Sequence, residues 1–183
     1  MTMAARSTTD LFFPLDEFYS AEGRSLPFIE RIEGNAMPQP YRQLLVHDGD
    51  MTPTLERFHK SRISLKLFDK RLGDDGWLSR RVALLLDETD QPVEFGAIRI
   101  NLNLFSEEAR QHICEGKRPL GTILNEDGLM HSSRPVAYLR VKSDDLINET
   151  LSLNGSQTLY GRRNVLFNEL NQPLAEVVEI LPP

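Results

Sequence analysis

The stretch that decides the reading is Leu159 to Pro183, LYGRRNVLFNELNQPLAEVVEILPP. It predicts two strands joined by a short turn. Adjacent arginines, Arg162 and Arg163, enter the first strand, and Glu176 and Glu179 lie inside an otherwise apolar second strand. A charge on a buried strand needs a partner or a ligand, because an unpaired ion is costly to take out of water. Strand side chains alternate between faces. Glu179 therefore shares a face with Ala175, Val177 and Leu181, and Glu176 with Leu174, Val178 and Ile180. Both sets are apolar, so parity alone does not choose between the glutamates. A carboxyl held among apolar neighbours tends to a raised pKa and is equipped to donate or accept a proton.

Working outward, four further strands are predicted: ISLKLFDKRL (63–72), WLSRRVALLLD (77–87), PVEFGAIRINL (92–102) and RPVAYLRVK (134–142). The short links between the first three imply an antiparallel meander. Before them, PYRQLLVHD (40–48) and TPTLERFHK (52–60) predict two short helices around an Asp-Gly-Asp turn, with Thr52 as N-cap and Pro53 in the first helical position. A second pair follows. Ser106 caps SEEARQHICEG, Gly116 stops it, and PLGTILNED (119–127) continues. Asp144 to Gln157 predicts a helical turn and a loop around Asn154-Gly155. The expected fold class is α+β: a six-stranded antiparallel sheet with two helix–turn–helix flaps on one face. Residues 1–39 are expected to form an arm, mobile or strapped over the surface, and residues 40–183 the domain.

Composition narrows the function classes. The chain of 183 residues has a formal net charge of -6, which argues against a nucleic-acid surface but not against a small anionic ligand beside one arginine. Cys114 is the single cysteine, so no intramolecular disulfide forms. His47, His59, His112 and His131 have no metal-type spacing, and there is no Gly-rich phosphate loop or nucleophile elbow. No metal and no cofactor are expected. No apolar run is long enough to span a bilayer, and the N-terminal MTMAARSTTDLFFPLDEF does not read as a signal peptide. The expected location is the cytoplasm, with no membrane or nucleic-acid partner. Arginines carry more interest. Arg80 and Arg81 open a strand, and only one of them can face the core. Such an arginine is ordinarily a solvated edge charge; buried, it grips a carboxylate through two parallel hydrogen bonds.

The order DGDMTPTLE (48–56), Arg81, PVEFGAI (92–98), GKRPLGTIL (116–124), YGRRNVL (160–166) and PLAEVVEILP (173–182) resembles chorismate lyase and its relatives, from about Pro40 to Pro183. The resemblance implies two flaps closing over a buried ligand. It also implies cofactor-independent cleavage of chorismate to 4-hydroxybenzoate and pyruvate, feeding a quinone or other aromatic pathway. Matched position by position, Met51 and Leu120 would contact the ligand from the two flaps. Arg81 would bind the ring carboxylate, with Glu179 near the hydroxyl end as the second catalytic residue. If protonated, Glu179 could hydrogen-bond the departing ether oxygen. Arg80 competes with Arg81, and Glu176 with Glu179, by slips in register. The alternative function is a non-catalytic receptor for an aromatic acid, since the same fold serves effector domains of bacterial transcription regulators.

Overall fold

Alternating apolar side chains in the predicted strands assemble one antiparallel sheet. The computed structural model describes residues 11–183. Its elements are α1 (Leu15–Ala21), β1 (Ile29–Ile32), α2 (Tyr41–Leu45), α3 (Met51–His59), β2 (Ile63–Leu72), β3 (Trp77–Leu86) and β4 (Pro92–Asn101). They continue with α4 (Glu107–Glu115), α5 (Leu120–Glu126), β5 (His131–Lys142), α6 (Asp145–Leu151), β6 (Thr158–Asn168) and β7 (Pro173–Leu181). The strand order is β1-β5-β6-β7-β4-β3-β2. The closing hairpin β6–β7 thus occupies the middle of the sheet. That place explains why β7 reads as a nearly unbroken apolar run: both its faces are covered.

Each face has its own cover. On one side lie the two flaps. The α2–α3 flap packs Leu44, Leu45, Met51 and Leu55 against Leu84 and Leu181. The α4–α5 flap packs Ala109, Ile113, Ile123 and Leu124 against Ile98, Ile100, Ala175 and Val177. On the other side α1 and α6 cover Phe95, Ala97, Val178 and Ile180 with Leu15, Phe18, Leu146 and Ile147. Local chemistry sets the ends of α4 as expected: Ser106 accepts from the Ala109 N–H at 3.1 Å, and Gly116 closes the helix at φ 67°. α3 differs by one turn position, since it begins at Met51 after Asp50 rather than after Thr52.

The sheet has a seventh strand, and the stretch read as an arm supplies it. Ile29 to Ile32 pair with Val141 to Tyr138 of β5. Within the same stretch α1 buries Leu15, Phe18 and Tyr19 to 1% exposure or less. Each fully buried apolar side chain of this kind contributes up to about 1.5–3 kcal/mol. Residues 1–10 of the expected arm lie outside the described residues. The Asp144–Gln157 segment forms a defined helix, α6, capped by Asp144 through the Ile147 N–H at 3.1 Å. Pro135 sits beyond the part of β5 that β1 covers, next to a bulge between Pro135 and Ala137, where a residue lacking an N–H is tolerated.

Gly161 permits the central pairing. It lies opposite Ile180, and a Cβ there would run into the Glu179 carbonyl oxygen of β7. Backbone cannot move aside as a side-chain tip can. Gly161→Ala is expected to lower stability by about 1–3 kcal/mol, read as a lower urea midpoint with an unchanged slope.

Candidate functional site

Between the sheet and the flaps lies a cavity of ≈ 60 Å³, several times what one buried water needs. The register builds its floor. Arg80, Val82 and Leu84 of β3 stand opposite Ile98, Gly96 and Glu94 of β4. Gly96 and Ile98 in turn face Glu179 and Val177 of β7, which pair with Arg162 and Asn164 of β6. The roof comes from Asp50, Met51 and Thr52 on the first flap and from Leu120, Gly121 and Leu124 on the second. Gly96 keeps the floor low, since a Cβ there would lie 3.0 Å from Val82 Cγ2.

The polar groups of this cavity are unevenly satisfied. Glu179 is held by Arg162, whose Nε donates to Oε2 at 2.5 Å. Arg80 is 1% exposed; its Nη1 donates to the Ile113 carbonyl at 3.1 Å, while its Nε has no partner among the described residues. Burial pushes its pKa down to about 10, so it stays a cation at neutral pH. Glu94 is 4% exposed and its Oε2 also lacks a partner. Burial, reinforced by the neighbouring Glu179 charge and opposed by Arg162, holds its carboxyl well above the usual carboxylate range. Asn164 donates from Nδ2 to Ser133 Oγ at 2.8 Å, leaving Oδ1 unpartnered.

Two contacts hold the first flap down. Arg162 Nη1 donates to the carbonyls of Leu45 at 3.3 Å and His47 at 2.9 Å, and Nη2 to that of Gly49 at 3.1 Å. Asp50, the residue that opens α3, pairs with His131 Nε2 at 2.7 Å at the start of β5. The His131 Nδ1 meets the Leu129 carbonyl at 2.8 Å. The Asp50 carboxylate lifts the imidazole pKa above its ordinary value, against the effect of burial.

Met51, Leu120 and Glu179 meet in this one cavity. Arg81 does not join them, and the arginine of the cavity is Arg80. The pleat sends neighbours to opposite faces, and Arg81 points to the α1–α6 side. There its Nη1 donates to Thr150 Oγ1 at 2.9 Å and its Nη2 lies 3.6 Å from Glu22. Glu176 likewise faces away and pairs with Arg163 at 3.2 Å. Sequence reasoning missed Glu94, Asn164, and the Asp50–His131 pair. Only Glu94 left a signal: it shares strand parity with Gly96, and a glycine inside a strand pattern is a mark of close approach. Among the described residues no group of three or more His, Cys, Asp or Glu is placed to hold a metal, and no helix is long and apolar enough to cross a membrane.

The Asp50–His131 pair has a pH signature. A histidine whose folded pKa is raised stabilises the fold fully below its unfolded pKa, about 6.5, and loses that contribution as pH rises through the folded value. The urea midpoint of the wild type should therefore exceed that of His131→Gln most at acidic pH, with the gap narrowing above about pH 6.5. A gap that widens with pH contradicts the ion pair.

No family model matches the sequence, and no curated protein matches it. Solved structures do. PhnF from Mycobacterium smegmatis superposes with a TM-score of 0.57 at 8% identity, over 91% of this chain and 92% of that one. A gene product from Staphylococcus aureus gives 0.52 at 10% identity, over 66% and 83%. YydK from Bacillus subtilis, a candidate transcriptional regulator, gives 0.51 at 10% identity, over 66% and 57%. At such identities the likeness is one of fold. The shared fold is chorismate lyase-like.

Proposed function

We propose that the protein binds a small organic acid in the flap cavity, with the acid's anion on Arg80. The observation that carries this reading is the Arg80 Nε: a buried cationic donor with no partner among the described residues, in a cavity whose apolar walls include Val82, Leu84, Ile98, Leu120, Leu124 and Val177. Leaving a buried donor unmade costs about 1–3 kcal/mol. A carboxylate supplies both the acceptor and the countercharge, and its bond to a guanidinium is of the stronger, charge-assisted kind. Apolar walls above and below suit a flat ring. An aromatic acid fits both demands. Neighbours of the same fold include a candidate regulator, which supports a receptor role over catalysis.

A second reading, chorismate cleavage, is favoured by one feature. Burial favours the protonated form of Glu94 beside the Glu179–Arg162 pair, and a buried protonated carboxyl is the group that assists departure of an ether oxygen. Loss of the enolpyruvyl group makes the ring aromatic, so positioning and this one proton would suffice.

Calorimetric titration with 4-hydroxybenzoate tests the first reading. Arg80→Met should weaken binding by about a hundredfold, the scale of about 2.7 kcal/mol, whereas Arg81→Met should change it by less than about threefold. Equal losses in the two variants contradict the assignment. The same protein mixed with chorismate distinguishes receptor from lyase: the receptor reading expects pyruvate at the spontaneous rate only.

A further inference from the structure

Three side chains of the cavity are each more than nine-tenths buried and carry an atom without a partner: Arg80 Nε, Glu94 Oε2 and Asn164 Oδ1. Their spacing follows from the register. Arg80 pairs with Ile98, four residues along β4 from Glu94. The Cα atoms of Arg80 and Glu94 are therefore about 14 Å apart across the floor. Both side chains line the cavity, one toward each end of its floor. Glu179 stands opposite Gly96, one diagonal step from Glu94.

Two carboxyl groups thus share the neighbourhood of one guanidinium. Each nitrogen of that guanidinium already has an acceptor: Arg162 gives Nε to Glu179 and its two terminal nitrogens to the Leu45, His47 and Gly49 carbonyls. Glu94 feels the Arg162 charge but makes no ion pair of its own among the described residues. Burial and the Glu179 charge both favour the protonated form of Glu94, with Arg162 opposing them, and a further cation beside the pair would favour the ionised form.

We propose that the cavity selects a zwitterionic ligand, an organic acid bearing a basic nitrogen at the end remote from its carboxylate, with Glu94 as the residue that selects the nitrogen. This rests on the anion-binding reading above and adds the chemistry of the second end. Arg80 takes the carboxylate. The ammonium sits against Glu94 and Glu179 and replaces the Glu94 proton, which passes to solvent while the ammonium keeps its own. Charge then balances at both ends of the cavity. Hydrogen bonds between ionised partners are roughly twice as strong as neutral ones. A hydroxyl at the same place makes only a neutral bond with the protonated acid.

The test titrates the full chain near neutral pH with three probes in two buffers of different ionisation heat. 4-(Aminomethyl)benzoate and 4-ethylbenzoate have the same shape and differ in the nitrogen; 4-hydroxybenzoate supplies a neutral donor. The aminomethyl acid should bind at least about tenfold more tightly than the ethyl acid and release up to about one proton per ligand. The Glu94→Gln variant should bring that ratio close to unity, because an amide cannot supply the countercharge. The wild-type data decide the matter even if the variant does not fold. Equal or weaker binding of the aminomethyl acid, with the other two still bound, overturns the zwitterion proposal and leaves the anion site standing. A preference that survives in Glu94→Gln overturns the role of Glu94. Failure of all three acids to bind overturns the anion site and this proposal with it.

Discussion

The guanidinium of Arg162 is the contact on which the rest of the molecule hangs. It is fully buried at the middle of the sheet, yet four acceptors gather around it: the Glu179 carboxylate on the next strand, and three carbonyls at the end of α2 and in the loop that leads to α3. Removing one partner of a buried pair of this sort costs about 3–5 kcal/mol, since the other charge is left stranded. Its neighbour Arg163 does the same work on the opposite face, donating to the Phe13 carbonyl at 3.0 Å and to Glu176 at 3.2 Å. Two consecutive arginines on β6 therefore tie both covering layers to one strand. Alternation of side chains makes that possible.

This commitment of Arg162 defines what the cavity has left to offer. Glu179 is already answered by it, so the cavity groups left with an unpartnered atom among the described residues are Arg80, Glu94 and Asn164. A dry, apolar setting magnifies all three. The same contact couples the site to the first flap. A ligand that touches Glu179 touches the residue holding Arg162, and Arg162 holds the loop at Leu45, His47 and Gly49. In the proposed receptor role, ligand occupancy and flap position would be joined through this one side chain.

Much of this was legible in the sequence, for identifiable reasons. The strands β2, β3, β4, β6 and β7 are long, strongly patterned and bounded by clear turns such as Gly-Asp-Asp-Gly at 73–76. The flaps announce themselves through Ser106, Gly116 and Pro119. Four-residue β1, with Glu30 and Arg31 at its centre, has too few apolar positions for any period to show, and its strand character comes from pairing with β5. The short helix α1 is specified by tertiary burial rather than by its own pattern. In the site, Met51, Leu120 and Glu179 line one cavity together, as the sequence had grouped them. Arg81 lies on the other face and Arg80 lines the cavity, because a choice between adjacent residues is a choice between faces, and two arginines in a row give a sequence no way to tell which face is which. Glu94 went unnoticed as a cavity residue because a glutamate two positions from a strand's start reads as an ordinary solvated charge until its neighbours are known.

The central claim is that Arg80, and not Arg81, receives the anion of a small acid beneath the flaps. Isotope-edited NMR spectra of the arginine Nε–H groups, followed during a titration with 4-hydroxybenzoate, test it most directly. The account predicts that the Arg80 Nε–H signal shifts saturably as its missing acceptor arrives, while the Arg81 signal, on the far side of the sheet, stays where it is. An unmoved Arg80 signal at saturation, or a shift confined to Arg81, would contradict it.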